Sequence, residues 1–269
     1  GGYGLSLTGL GGSCVCFAQS SSLTGGNGGT GLATTAGGNG ISGADLTLTI
    51  AGLVQAGLSS AAVRGNALNF TGGTNVVSLT DTGGLVGDVA IATGASANFN
   101  QANDISLANS ITGGGSLRKS GTGTLLLTGT NSFTGGTTVD AGKLVIGTMA
   151  ALPGGFITGA NVASGAVLAF ATPSGGTYNG PIGGAGTLRI LGPADAAGAG
   201  LVNLFGTLSM TGTVQIDDGA TLDLSTAMFG SSTAGQVTNN GALVLQRSLS
   251  VTNGISGTGS VSLVGPLSS

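Results

Sequence analysis

The stretch Gly115–Leu144 reads GSLRKSGTGTLLLTGTNSFTGGTTVDAGKL and carries the pattern that decides the fold. Leu125 and Leu127 occupy alternate positions within it, and glycines separate short segments rich in Ser, Thr and Val. An alternation of period two predicts a β-strand with one face inside, and glycine supplies the positive φ of tight corners. The stretch therefore predicts short strands joined by glycine corners.

A related motif, Ile-x-Gly-x-Gly-(Ser/Thr)-(Leu/Val), recurs along the chain. It occupies positions 111–117, 182–188 and 255–261, so successive copies begin at nearly equal intervals. Self-similarity at a fixed interval is the signature of a repeat architecture, in which each repeat buries its apolar face against its neighbours.

A finer spacing sets the expected coil length. Corner glycines recur at intervals of about 22–23 residues, as from Gly142 to Gly165 and from Gly219 to Gly241. Three such coils make a unit of about 70 residues. This agrees with the interval between successive copies of the Ile-x-Gly-x-Gly motif. The sequence thus predicts an all-β, right-handed parallel β-helix (β-solenoid) with about 22–23 residues per coil and about 12 coils.

Composition agrees with an all-β chain. The 269 residues include 57 Gly, only 6% are charged and 40% are hydrophobic, which does not suit a disordered chain. Ser, Thr and Asn fill the polar positions that Glu and Lys fill on surface helices. A β-sandwich or barrel with hairpins is the competing interpretation, since Asn-Gly pairs such as Asn240-Gly241 occur, but the regular spacing favours stacked coils.

The stretch Gly115–Leu144 closely resembles the autotransporter-associated β-strand repeat of type V secretion passenger domains. Three elements match: a Lys-x-Gly-x-Gly-Thr-Leu strand at 119–125, an Asn-x-aromatic-x-Gly-x-Thr turn at 131–137 and a Val-x-x-Gly-x-Leu strand at 139–144. The resemblance implies secretion through an outer-membrane translocator, and an extracellular or bacterial outer-surface location. It also implies a surface or released β-helix.

Two regions are expected along the chain. Residues 1–40 are rich in Gly and Ser and predict an N-terminal cap or assembly segment, whereas 41–269 predict the solenoid, with its clear repeat at 115–144. No run of 18 apolar residues predicts a membrane-spanning helix, and the missing charged start and apolar h-region of a signal peptide indicate a mature protein.

Several ligand classes are not expected. The net charge is −3, and Arg118-Lys119 is the one adjacent basic pair, so no basic stripe predicts nucleic-acid binding. The runs at 25–30 and 37–42 resemble calcium-binding turns but lack the Asp that would hold the ion. Gly121-x-Gly123 precedes no helix, so no nucleotide site and no small-molecule cofactor is expected.

Catalytic residues are expected to be absent. The chain has no His and no Glu, which removes the usual acid–base groups. Asp217, Asp218 and Asp223 form the one carboxylate cluster, which suits either polysaccharide cleavage or, as we favour, a solvated turn capped by Asp.

Cys14 and Cys16 are the two cysteines of the chain. Neither a zinc ligand set nor a completing His is present, so we expect no metal site. Residues two apart on a strand lie at the outer limit of disulfide geometry, and a short turn brings them closer. In an oxidising compartment a local Cys14–Cys16 disulfide is favoured over two free thiols.

Three functions follow in order of preference. The first is a non-enzymatic structural or adhesive solenoid that contacts a host or neighbouring cell surface. The second is a subunit of an extracellular filament, because neither end of the predicted solenoid has a charged or helical cap and coils could pair end to end or laterally. The third is a polysaccharide-cleaving β-helix enzyme.

Overall fold

The computed structural model describes residues 5–7, 14–27, 36–147, 159–172, 175–195, 200–225, 228–229, 235–246 and 254–265. The chain divides into two compact units. Unit 1 comprises Gly1–Gly123 and Gly129–Gly135, and unit 2 comprises Thr124–Thr128 and Gly136–Ser269. No helix occurs in the described ranges, and consequently none that is long and apolar enough to cross a membrane.

Fourteen described strands belong to unit 1. They are β1 (Leu5–Leu7), β2 (Cys14–Phe17), β3 (Ser22–Thr24), β4 (Ile41–Ala44), β5 (Thr47–Ile50), β6 (Leu53–Gln55), β7 (Asn66–Gly72), β8 (Thr74–Leu79), β9 (Gly84–Val86), β10 (Asp88–Ile91), β11 (Ser96–Asn100), β12 (Ile105–Leu107), β13 (Ile111–Thr112) and β14 (Ser116–Ser120). Strands that lie three positions apart in chain order pair with each other in parallel. This gives the sheet orders β1-β4-β7-β10-β13, β2-β5-β8-β11-β14 and β3-β6-β9.

Seventeen described strands belong to unit 2. They are β15 (Thr124–Leu127), β16 (Thr137–Val139), β17 (Lys143–Ile146), β18 (Ala160–Val162), β19 (Val167–Phe170), β20 (Gly176–Tyr178), β21 (Ile182–Gly184), β22 (Thr187–Ile190), β23 (Leu201–Leu204), β24 (Thr207–Met210), β25 (Thr213–Ile216), β26 (Thr221–Leu224), β27 (Met228–Phe229), β28 (Val237–Asn239), β29 (Ala242–Gln246), β30 (Ile255–Ser256) and β31 (Ser260–Val264).

Three parallel sheets organise unit 2, and we name them for later use. The groove sheet has the order β16-β18-β21-β24-β27, the long sheet β15-β17-β19-β22-β25-β28-β30, and the end sheet β20-β23-β26-β29-β31. Each sheet stacks strands of successive coils, so the predicted parallel β-solenoid class is confirmed.

Apolar ladders fill the interior of each unit. Most strands bury alternate residues, as the sequence alternation predicts. In the long sheet Leu125, Leu144, Leu168, Leu188 and Val214 occupy one ladder, and all are buried. Burying such a side chain contributes about 1.5–3 kcal/mol, so stacking is the main source of stability.

The length of individual coils varies around the predicted 22–23 residues. Leu125 is in register with Leu144 one coil later, whereas the partner of Ile41 is the more distant Leu68. Loops inserted at corners cause the difference, as where an antiparallel bridge between Leu58 and Arg64 closes a loop. The number of coils therefore also differs somewhat from the predicted 12.

The three copies of the Ile-x-Gly-x-Gly motif share one local structure. The third residue, Gly113, Gly184 or Gly257, has a φ of 104–115°. A Cβ there would lie 2.1–2.2 Å from a backbone oxygen of the coil beneath, so only glycine fits this corner. The three copies begin at β13, β21 and β30, which belong to three different sheets. The motif therefore predicts the local conformation of a corner, but it does not predict which sheet the corner adjoins.

The predicted boundary at residue 40 stays a prediction. Within 1–40, the described strands β1–β3 pair in parallel with β4–β6, and residues 1–4, 8–13 and 28–35 lie outside the described part.

Candidate functional site

Asp217 lies at the corner that follows β25. The amide of Ala220 donates to the Asp217 carbonyl over 3.0 Å, and Gly219 between them has a φ of 73°. This closes a four-residue turn, as expected for a corner capped by Asp. The local chain therefore turns at Asp217 and places its carboxylate beside the neighbouring coil.

The carboxylate of Asp217 binds Arg189 on the outer face of the long sheet. Arg189 Nε lies 3.1 and 3.0 Å from its two oxygens, and Gln215 donates to Oδ1 over 2.9 Å. Arg189 also pairs with Asp195 at 2.5 Å. Burial by itself lowers the pKa of Arg189, but the hydrogen bonds and charges of Asp217 and Asp195 outweigh it and raise that pKa.

The other two Asp residues of the predicted cluster have separate surroundings. Asp223 Oδ1 accepts a hydrogen bond from the Ser225 amide over 2.8 Å, which is a local turn contact. Asp218 is exposed. Glycoside hydrolysis needs one protonated acid and one available base on either side of a bond. Asp217 is held by a cation instead, so the arrangement favours the turn interpretation over catalysis.

Lys119, within the repeat stretch, points into the interior and is 0% exposed. Its Nζ donates to the carbonyls of Ser120 and Gly121 over 2.7 and 2.9 Å, and Gly121 turns the corner with a φ of 75°. Burial lowers the pKa of Lys119, and the charge of Asp104 partly opposes that shift. This lysine is therefore a structural cap for the corner carbonyls.

Asn131 completes a second corner of the repeat. Its Oδ1 accepts from the Ile111 amide over 3.0 Å, and its Nδ2 donates to the Gly129 carbonyl over 2.9 Å. Buried amides of this kind satisfy backbone groups that no strand partner reaches. The Lys and Asn of the repeat pattern thus have structural roles at corners.

An open groove of about 390 Å³ runs along the outer face of the groove sheet. Thr138, Asn161, Gly183 and Ser209 follow one another in register along it, one from each coil. A Cβ at position 183 would lie 2.8 Å from Ser209 Oγ, so this glycine keeps the middle of the groove open. Among the described residues no charged side chain lines it; their lining is Gly136, Thr137, Thr138, Gly159, Ala160, Asn161, Pro181, Gly183 and Ser209.

The remaining predicted sites are only partly within the described residues. Cys16 is disulfide-bonded, whereas the side chain of Cys14 lies outside the described part, so the Cys14–Cys16 pairing stays a prediction. Of the glycine runs, 25–27 and 37–42 are described and 28–30 are not. Across the described ranges, no group of three His, Cys, Asp or Glu residues is placed to hold a metal ion.

Comparison with known proteins finds a match to a repeat family and a similar protein. Residues 117–146 match the Passenger-associated-transport-repeat family. The chain is 40% identical over 101 residues to the adhesin BmaC autotransporter of Brucella suis biovar 1 (strain 1330), which covers 38% of this chain and 3% of that protein. No solved structure matches.

These matches agree with the fold and with the residues that carry the repeat. The matched stretch includes Lys119 and Asn131, the two buried corner groups described above. The expected resemblance to autotransporter passenger repeats is confirmed over residues 117–146, and the matches support the expected location outside the cell or on its outer surface.

Proposed function

We propose that this chain is a non-enzymatic adhesive solenoid and that the groove sheet contacts the surface of a host or neighbouring cell. The row of Thr138, Asn161, Gly183 and Ser209 carries the proposal. Its hydroxyl and amide groups both donate and accept hydrogen bonds, whereas no charged side chain among the described residues steers a charged ligand to it. The matched relative is itself named an adhesin, which supports the same role.

A cell-binding assay tests the proposal. The purified 269-residue chain is applied to host cells and to bacterial cells, and the bound fraction is measured. Asn161→Arg places a long charged side chain in the groove, and we expect about a tenfold weaker binding. Thr177→Arg, at an exposed position on β20 of the end sheet, is the matched control and is expected to bind like the original chain.

Two results would count against this role. Absence of binding to any cell by the unmodified chain overturns the adhesive function. Equal weakening by Asn161→Arg and Thr177→Arg overturns the groove as the contact surface. The polysaccharide-cleaving alternative is less favoured because Arg189 holds Asp217, and we expect no release of sugar from polysaccharides incubated with the chain.

A second candidate is the filament subunit expected from the sequence. It is favoured by the low content of charged residues, 6% of the chain, which weakens repulsion between copies.

A further inference from the structure

The open groove of the groove sheet has two parallel rows of lining residues with different chemistry. The polar row holds one residue from each successive coil, in register: Thr138, Asn161, Gly183 and Ser209. The apolar row holds residues two positions earlier in the chain, which line the same groove: Gly136, Gly159 and Pro181. The groove therefore presents hydrogen-bonding groups along one side and none from side chains along the other.

The apolar row is kept low by glycine. Gly159 has a φ of 92°, and a Cβ at this position would lie 2.7 Å from Cγ of Pro181. No larger residue fits there without displacing the proline, so the exposed ring of Pro181 is the one side chain of this row. A ligand can consequently lie flat against it.

The polar row has hydrogen-bonding groups that the protein does not use. Asn161 is exposed, and among the described residues neither its amide nor the Thr138 hydroxyl has a hydrogen-bond partner. Asn98 in unit 1 differs, because its Oδ1 accepts a hydrogen bond from Ser120 Oγ over 2.8 Å. The amide of Asn161 and the hydroxyl of Thr138 can thus donate to a ligand and accept from it.

The backbone of the groove sheet is already paired. Strands β16, β18, β21 and β24 form successive parallel pairs, and the groove lies on their face. A peptide that adds as a strand needs a sheet edge instead. Side chains must therefore recognise the ligand, and the described lining offers no charge to pair with a charged one.

A sugar chain has the chemistry that both rows require. Each ring carries hydroxyl groups around its edge and C–H groups on its faces, so its edge suits the polar row and its face suits Pro181. The polar row advances by about 4.8 Å per coil, which is close to the length that one sugar adds to an extended chain. We infer that the groove binds an extended, uncharged glycan chain of a cell surface, one sugar per coil. This inference rests on the proposed adhesive function and names its ligand class.

Titration calorimetry with linear, uncharged oligosaccharides tests the ligand class. The probes contain one to six units of glucose, mannose, galactose or N-acetylglucosamine. Affinity is expected to rise with length up to four sugars, because the polar row has four residues, and to change little beyond that. Thr138→Val and Asn161→Ala each remove hydrogen-bonding groups and are each expected to weaken binding by about fivefold.

Thr177→Val is the control, because it makes the same change at an exposed position on β20 of the end sheet. It is expected to bind like the unmodified chain, and circular dichroism must show the same β signal in every variant. Absence of binding to every oligosaccharide overturns the inference. Tighter binding of a sulfated oligosaccharide, or equal weakening by Thr177→Val, overturns it too.

A cell experiment separates this inference from the adhesive function. Periodate oxidation of sugars on the target cells is expected to abolish binding of the chain. Cell binding that survives periodate but is lost after protease treatment indicates a protein partner, which overturns the glycan and retains the adhesive function. A chain that binds an oligosaccharide but no cell overturns the adhesive function and retains the glycan as the ligand of the groove.

Discussion

Lys119 and Arg189 are two cations of this chain in opposite surroundings. Lys119, at a corner of unit 1, points inward and is 0% exposed, and its partner in register on β11 is Phe99. Arg189, on the long sheet of unit 2, points outward, and its side chain is 25% exposed. Their neighbours also differ, because backbone carbonyls accept from Lys119 whereas carboxylates bind Arg189.

The difference shows where a solenoid can host a charge. The middle of an interior strand offers only apolar side chains, but a corner exposes carbonyls that the strand ladder does not use. Lys119 is close enough to a corner for its stem to pack inside and its Nζ to reach Ser120 and Gly121. On the outer face, Arg189 stays partly hydrated, so its ion pairs with Asp217 and Asp195 contribute less to stability.

The largest effect is expected from Lys119→Ala. It removes the donor from two corner carbonyls and leaves a cavity, so the unfolding free energy should fall by about 2–5 kcal/mol. Urea unfolding followed by circular dichroism measures the loss. Arg118→Ala is the control, because Arg118 is the exposed neighbour on the opposite face of β14, and it should cost about 1 kcal/mol or less. Similar losses for both variants would contradict the buried cap.

A smaller effect is expected from raising the pH. Burial lowers the pKa of Lys119, so above that lowered pKa and below the ordinary value of 10.5 the unfolded chain binds more protons than the folded one. Stability from this residue should therefore rise with pH through that window. The measurement is the difference in unfolding free energy between the unmodified chain and Lys119→Met.

That comparison also removes the effect of other groups. Burial raises the pKa of Tyr178, which makes stability fall with rising pH, but this contribution is common to both proteins and cancels. A difference that stays constant with pH would show that Lys119 has the same pKa in the folded and unfolded chains.

Much of the fold could be predicted from local sequence, because strand alternation and corner glycines act within one coil. Leu125 and Leu127 predict their own burial, and Gly113, Gly184 and Gly257 predict their own corners. The variation in coil length could not be predicted, because it depends on loops that close through contacts such as the Leu58–Arg64 bridge.

The surface sites could be predicted only in part from the sequence. Asp217 was recognised as a candidate, but its partner Arg189 lies 28 residues earlier and comes next to it only through the pairing of β22 with β25. The groove combines Thr138, Asn161 and Ser209 from separate coils of unequal length. The burial of Lys119 did have a local signal, since it alternates with Leu117 on one face of β14.

The smallest effects are expected at the surface network. Arg189→Gln removes the partner of Asp217 and Asp195, and because these groups are partly hydrated the cost should be about 1 kcal/mol. Asp195→Asn should cost about 0.5 kcal/mol or less, since Asp195 is half exposed.

Raising the salt concentration to about 1 M should shrink the Arg189→Gln loss, because the Debye length falls to about 3 Å, whereas the Lys119→Ala loss should persist. Thermal unfolding of the three variants at low and high salt tests this, and equal salt sensitivity at both sites would remove the distinction between an inward and an outward cation.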